Sequence, residues 1–417
     1  MEELILMNNK SYVPQKIIPN DWKIRKISEL LLEKPDYGAN SSSVEFDNKA
    51  TYRYIRITDI NDYGNLIEEN KVGIPFGIGE DYLLQDGDIV IARTGASVGK
   101  SYIYHPSDGN CAFAGYLIRL RADQKKLLSQ LLFQYLRSPQ FWKWVRGTMK
   151  IGAQPNISAK EYSAFKIPIP TSIDEQRKIV IVLSSWDKAI KSVAILIEFK
   201  IKLKQALMQQ LLTGKLRFKE FAKRPFHKTE LGEFLIPTLR PVPRPDSSYT
   251  ALGIRSHGKG TFLKTVENPE TVMMDTLYEV KENDLIVNIT FAWEGAIAIV
   301  KKSDEGALVS HRFPTYTFNR EIAIPEYFRH VIQTKRFVYE LGLVSPGGAG
   351  RNRVLSKTDF LNLVVSIPSV DEQKKIAVVL NGIDKETELL KKKLGSLKTQ
   401  GKGLMQKLLI GKIRVKV

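Results

Sequence analysis

The sequence predicts a mixed α/β fold: two tandem α/β domains joined by two long antiparallel coiled-coil helices with pseudo-twofold symmetry. Three observations predict it. A block of residues returns at a fixed interval. The returning blocks bracket apolar stripes at heptad-like spacing. The segments before them carry short β-rich runs punctuated by Gly, Asp and Asn.

The repeat comes first. Asp174-Glu175-Gln176-Arg177-Lys178-Ile179 returns as Asp371-Glu372-Gln373-Lys374-Lys375-Ile376, 197 residues on. Leu207-Met208-Gln209-Gln210-Leu211-Leu212-Thr213-Gly214-Lys215-Leu216-Arg217 returns at the same offset as Leu404-Met405-Gln406-Lys407-Leu408-Leu409-Ile410-Gly411-Lys412-Ile413-Arg414. A generic amphipathic pattern explains shared apolar periodicity but not shared Gln, Met and Gly, so the chain is read as a duplication. Weaker echoes lie upstream: Tyr52 and Ile57 with Tyr249 and Ile254, Asp88–Ile91 with Asp284–Val287, Asn156 with Asn352. Four segments follow: globular units at 1–170 and 219–367, helices at 171–218 and 368–417.

Each helix start is marked by Pro168 and Pro170, or Pro368, then a candidate cap at Ser172 or Ser369 with Asp and Glu in the first turn. Ile179, Leu183, Trp186, Ile190, Val193 and Ile197 form the first stripe, which shifts through Leu203, Leu207 and Leu211. Ile376, Leu380, Ile383, Leu390, Leu394, Leu397, Leu404 and Leu408 form the second, with Thr387 and Gly401 as gaps. Gly214 and Gly411 are natural stops. One helix from Asp174 to Thr213 spans about 60 Å at 1.5 Å per residue. A rod of that length buries little against its own domain, so the partner expected is the other copy, running antiparallel.

In the globular units, strands are expected at Tyr52–Ile57, Asp88–Ala92, Ser101–Tyr104 and Tyr116–Leu120, then at Leu285–Thr290, Ala296–Val300 and Thr315–Phe318. Helices are expected at Lys125–Leu136, Ser138–Arg146 and Pro325–Tyr339. The expected product is one strongly curved sheet per unit, with Pro237–Pro245 as a stiff surface loop.

Composition narrows the function. With 63 Lys+Arg against 45 Asp+Glu, the net charge is +18, which favours polyanions. Cys111 has no partner cysteine and the five His are scattered, which argues against a disulfide framework or zinc site and for a reducing, cytoplasmic setting. No apolar run reaches the ~18–20 residues of a membrane span. The segment Asp88–Ser101 resembles a phosphate-binding loop, but Gly95 and Gly99 enclose three residues rather than four, and a strand rather than a helix is expected next. A turn presenting Arg93, Thr94, Ser97 and Lys100 to a DNA backbone fits better. Asp59 and Asp62 read as a polar turn rather than a metal-binding carboxylate pair. Neither a Gly-x-Ser-x-Gly elbow nor the Asn/Asp-Pro-Pro-Tyr/Phe tetrapeptide of adenine methyltransferases is present. No catalytic role and no cofactor are therefore expected of this chain.

On Ile167-Pro168, Asp174-Glu175-Gln176, Ile179, Leu211–Arg217, their second-copy counterparts and the Asp88–Lys100 turn, the sequence resembles the specificity subunits of bacterial type I restriction-modification systems. The resemblance implies two target recognition domains that each read half of a bipartite site in double-stranded DNA. It implies spacer helices that set the gap and dock two methyltransferase (modification) subunits, which carry S-adenosylmethionine and methylate adenine N6. An ATP-using restriction/translocase subunit joins such assemblies. The alternative is a stand-alone DNA-binding adaptor or regulator, which would share the charge but not need such helices.

Candidate DNA-binding residues are Arg53, Arg56, Arg93, Thr94, Ser97, Lys100, Lys150, Gln154 and Asn156 in the first unit. In the second they are Arg255, His257, Lys259, Asn288, Thr290, Arg351, Asn352 and Arg353. These side chains have donor geometry for base edges or phosphates, and Gly147–Asn156 and Gly347–Arg353 are Gly-rich approaches to a helix base. Trp293 packs either inward or against DNA.

Overall fold

A computed structural model describes residues 18–149, 155–347 and 353–416. The chain divides into two compact units, Met1–Ala194 with Lys392–Val417, and Ile195–Lys391. The division cuts through both long helices, so each unit contains parts of both sequence repeats.

In the first unit, Ile89–Ala92 is the strand around which the rest is built. Its neighbours are Leu117–Leu120 and Ser101–Ile103, with Asp36–Tyr37 beyond Leu117–Leu120, all antiparallel. Ile89, Val90, Ile91 and Ala92 are all fully buried. Ile89 and Ile91 face one apolar cluster with Leu120, Leu131, Phe141 and Tyr162, while Val90 and Ala92 face another with Ile55, Tyr102 and Phe113. A strand covered on both faces has no solvent side, which is why its sequence is an unbroken apolar run instead of an alternation. A second sheet holds Val44–Glu45, Val72–Pro75, Thr51–Ile55 and Cys111–Phe113, the last two parallel. The expected single curved sheet is thus two sheets back to back on a shared core. The helices Ser129–Leu136, Pro139–Thr148 and Ala159–Ala164 close the other side.

The second unit repeats this plan at residue resolution. Leu285–Val287 pairs with Ile297–Ile299 and Thr315–Phe318. Ile89 sits opposite Ile103 and Leu120, and Leu285, 196 residues on, sits opposite Ile299 and Tyr316, each also 196 on. The parallel pairing of Arg53 with Cys111 returns as Ala251 with Leu308. The expected helix Pro325–Tyr339 is broken in two, Pro325–Val331 and Lys335–Leu343, because Thr334 caps the second piece through its hydroxyl. The proline-rich stretch is not a loop: Leu235–Pro237 and Pro241–Pro243 are edge strands, positions where a missing N–H costs nothing. Likewise Pro168 and Pro170 lie within a strand, Lys166–Pro170, paired with Trp22–Lys26.

The long helices run Ile173–Leu211 and Val370–Leu409. Within the first unit, Trp186 Nε1 donates to the Leu397 carbonyl at 2.8 Å and Lys178 Nζ to the Lys416 carbonyl at 2.7 Å. Within the second, Lys200 pairs with Glu386 and Lys204 with Asp384. As one helix advances its partners recede, so the pairing is antiparallel in both units. Gly401 is no gap in the seam: a Cβ there would come within 2.5 Å of the Trp186 ring, so the glycine is the notch that seats the indole. Gly214 and Gly411 end the helices with φ of +72° and +73°. Ser172 caps as expected, accepting from Glu175 N, whereas the Ser369 hydroxyl is buried with no hydrogen-bond partner among the described residues.

The repeated motifs owe their residue types to how each helix base is fastened. Gln176 is fully buried; its amide donates to the carbonyls of Lys126 and Pro170 and accepts from Leu128 N. Gln373 does the same with Ile322, Pro368 and Ile324. The neighbouring glutamate is buried too, and its counterion comes from the other repeat. Arg414 clasps Glu175, with Trp22 Nε1 adding a third bond. Arg217 clasps Glu372 through two bonds of 2.7 Å.

Two consequences are measurable. Arg217→Ala leaves a buried carboxylate unpaired and lowers stability by on the order of 3 kcal/mol, and adding Glu372→Gln recovers most of it; urea unfolding of the two single variants and the double variant checks this. His330 is buried, with Nε2 on Asn381 Oδ1 and Nδ1 without a partner among the described residues. Burial, with help from Lys204, pushes its imidazole down to about 4. The unfolded chain takes up a proton near pH 6.5 that the folded chain refuses, so stability falls as pH drops through that window, by up to roughly 3 kcal/mol. Gln134 occupies the equivalent place in the first repeat. His330→Gln therefore flattens the acid limb of a thermal-melting pH series.

Candidate nucleic-acid interface

After the central strand of the first unit, Arg93 and Thr94 lead into a turn of 3-10 helix, Gly95–Ser97. Gly99, at φ +87°, returns the chain into Ser101–Ile103. That following segment is a strand paired with Ile89–Ile91, so Gly95–Ser101 lacks the helix N-terminus on which a phosphate-cradling loop depends.

Three segments meet along this turn. Arg93 N donates to the Tyr116 carbonyl at 3.0 Å, Ile157 N to the Arg93 carbonyl at 2.9 Å, and Gly95 N to the Pro155 carbonyl at 3.0 Å. They carry Arg93, Thr94, Tyr116 and Asn156 to one lip. The Arg93 guanidinium lies 4.7 Å over the Tyr37 ring, and its Nε is 3.4 Å from Asn156 Oδ1. Tyr37 and Tyr116 are 41% and 63% exposed, and among the described residues nothing lies within 4 Å of where a Cβ on Gly95 would stand. An exposed Tyr116 ring and a Tyr37 ring carrying the Arg93 guanidinium on one face, with amide and hydroxyl groups interleaved, form a surface suited to stacking and to hydrogen bonds with a nucleic acid.

The second unit has the same frame with other side chains. Ile289 N donates to the Arg312 carbonyl at 3.1 Å and Leu355 N to the Ile289 carbonyl at 2.9 Å. Asn288 Oδ1 accepts from Thr290 N, and Thr290 Oγ1 accepts from Arg312 Nη1 at 3.3 Å. The tip of the hairpin between Tyr249–Ile254 and Thr261–Val266 leans on this turn: His257, at φ +63°, donates its N–H to the Glu294 carbonyl, and Gly258 donates to Gly295. His257 and Lys259 are exposed there. Trp293 packs under Arg353 (5.3 Å), with its Nε1 on the Thr290 carbonyl.

Several candidates hold other posts. Arg53 is 6% exposed, bonded to Glu68 and the Ile67 carbonyl. Arg56 is locked on Asp59, and Lys100 pairs with Asp62 at 2.6 Å; those aspartates, read as a turn, each serve a different cation. Arg255 lies over the Phe262 ring and donates to the Thr261 carbonyl. Arg353 donates to the carbonyls of Ser345 and Gly342. Ser97 sits half-buried in the turn, its carbonyl accepting from Lys100 N. Lys150, Gln154, Arg351 and Asn352 lie outside the described residues. Sequence reasoning missed Tyr37, Tyr116 and Arg312. Carrying the 196-residue offset onward from Asp88 would have paired Tyr116 with Arg312; nothing in the sequence marked Tyr37.

Arg93 and Arg53 are thus predicted to separate. Arg93→Ala leaves the melting temperature near that of the parent and weakens duplex binding, with a shallower salt dependence. Arg53→Ala lowers stability by about 1–3 kcal/mol through the lost buried hydrogen bonds. Thermal melting and fluorescence anisotropy at two salt concentrations distinguish them.

Comparison with known proteins agrees with this architecture. The family model for the type I restriction modification DNA specificity domain matches residues 19–200 and 255–399. The type I restriction enzyme MjaVIII specificity subunit of Methanocaldococcus jannaschii is 24% identical, over 96% of this chain and 94% of its own length. A second specificity subunit from that organism, MjaX, whose name carries the assignment provisionally, is 25% identical over 96% and 95%. Among solved structures, the S subunit of a type I restriction-modification system from M. genitalium shares the fold, with a TM-score of 0.57 at 16% identity, covering 97% of this chain and 99% of that one. A chain from a structural study of complex assembly and conformational transition in the type I system gives 0.56 at 14% identity, covering 95% and 99%. With its two matched segments falling one on each repeat, this chain belongs to the type I restriction-modification DNA specificity family.

Proposed function

We propose that the chain is the non-catalytic, sequence-reading subunit of a type I restriction-modification assembly. In this reading, residues 1–170 and 219–367 are target recognition domains and 171–218 and 368–417 are spacers. Each domain reads one half of a bipartite duplex site, and the pseudo-twofold arrangement expected from the repeat belongs to the same reading. The observation that carries it is the pair of turns built on one backbone frame around a common threonine, Thr94 and Thr290, but displaying different side chains beside it: exposed Tyr116 against exposed Arg312, and Arg93 where the second copy has the half-buried Ile289. A shared frame with divergent exposed groups is what two readers of different sequences require. The +18 charge supplies the general attraction to DNA.

The long helices also leave apolar side chains uncovered: Ile181, Ile195, Phe199 and Leu389 are all more than half exposed. Such surface favours partner subunits, here two methyltransferase subunits and a restriction/translocase subunit that bring the cofactors and the chemistry. The setting is the cytoplasm; among the described residues, no helix is long and apolar enough to cross a membrane. Because half-sites on one face of DNA recur every ~34–36 Å, helix length acts as a ruler for the gap.

The test is selection from a pool of random duplexes, using the full chain in the assembly that co-purifies from its source cell. Two fixed tracts with a constant gap are expected, with a methyltransferase in the assembly. A seven-residue insertion within Ser192–Gln205 changes the gap and leaves both tracts intact. Enrichment of no sequence, or tracts that change while the gap stays fixed, overturns the reading.

A further inference from the structure

The two turns differ most sharply at one repeat-related position. Leu120 and Tyr316 occupy the same place opposite Ile89 and Leu285, which puts Tyr116 and Arg312, four residues before each, in register. Their carbonyls make the same bond, accepting from Arg93 N at 3.0 Å and Ile289 N at 3.1 Å. Both side chains are exposed. The residue across the turn is the same in both copies, Thr94 and Thr290. The common threonine suits a contact made on any duplex, such as a phosphate, whereas the changed residue suits a contact that differs between half-sites.

Arg312 has further marks of a reader. Among the described residues, no carboxylate is paired with it; its one side-chain bond is the 3.3 Å contact with Thr290 Oγ1, which aims the guanidinium and leaves most of its donors unused. Arg353, Arg255 and Arg56, by contrast, have donors taken up by carbonyls or a carboxylate. A guanidinium held at an exposed lip by a single neutral hydroxyl has the two-donor fork that matches guanine O6 and N7 in the major groove. Tyr116 presents an aromatic face and one hydroxyl, a different chemistry at the same station.

Building on the sequence-reading function proposed above, we infer that Tyr116 and Arg312 are equivalent specificity-determining residues, one per half-site, and that Arg312 reads a G·C pair. Neither residue is needed to hold its domain together, since the bonds that define the frame are made by their backbones.

The experiment repeats duplex selection with Arg312→Lys and Tyr116→Ala in the same co-purified assembly. Arg312→Lys keeps the charge and removes the fork. It is expected to lose about tenfold of the preference for G at one position of one tract, while the other tract and the salt slope stay as in the parent. Tyr116→Ala is expected to alter only the other tract. If Arg312→Lys leaves every base preference in place, the inference is overturned. It is equally overturned if Arg312→Ala weakens all sequences alike and lowers the salt slope by about one, the mark of a phosphate contact. If the parent assembly enriches no tract, the proposed function itself falls. Two tracts in the parent with unchanged tracts in the variants defeat this inference alone.

Discussion

The structure depends on two buried carboxylates that cannot be neutralised from within their own repeat. Glu175 and Glu372 each stand in the first turn of a long helix with their side chains 2% and 1% exposed. An ionised carboxylate in such a place is tolerated only beside a cation that also satisfies its hydrogen bonds. The cation is an arginine at the end of the other repeat's helix, Arg414 for Glu175 and Arg217 for Glu372. This requirement ties the end of each helix to the base of the other and sets the antiparallel direction. It also fixes the register, because a slip by one residue would part both clasps together. The adjoining glutamines fasten the same two bases to their own domains through three bonds each.

Above those bases the two units hold their frame and vary what it displays. The buried aspartate that opens the central strand shows how far variation reaches. Asp88 accepts from Gln85 N and takes its guanidinium from Arg121, later in the chain. Asp284 accepts from Lys281 N and takes its guanidinium from Arg240, earlier in the chain. The carboxylate is kept because it closes the turn into the strand. Its counterion can come from any element able to reach it. At the lip the threonine is common to both copies, Thr94 and Thr290, while the exposed position beside it changes from Tyr116 to Arg312.

Much of this was legible in one dimension. The long helices, the central strands and the duplication are local or periodic signals, and burial of an unbroken apolar run follows from composition. The candidate interface was legible only in part. Arg93, Thr94 and Asn156 do meet, but Arg53 and Arg353 turn inward. An arginine's type fixes its donors and charge, while its direction depends on which carbonyls and carboxylates surround it. Gly401 looked like a defect in a heptad for the same reason: the indole that fills it is carried by a residue more than two hundred positions away.

The sequence by itself determined that there are two copies of one α/β-plus-helix unit, where their helices begin and end, and that the surface is strongly basic, because each of these follows from residue type and spacing along the chain. The tertiary structure alone decided which arginine neutralises which buried glutamate, which basic side chains are spent on the fold, and that Tyr116 and Arg312 stand at the same station. Those outcomes depend on distances between residues far apart in the chain, and such distances exist only once the backbone has closed.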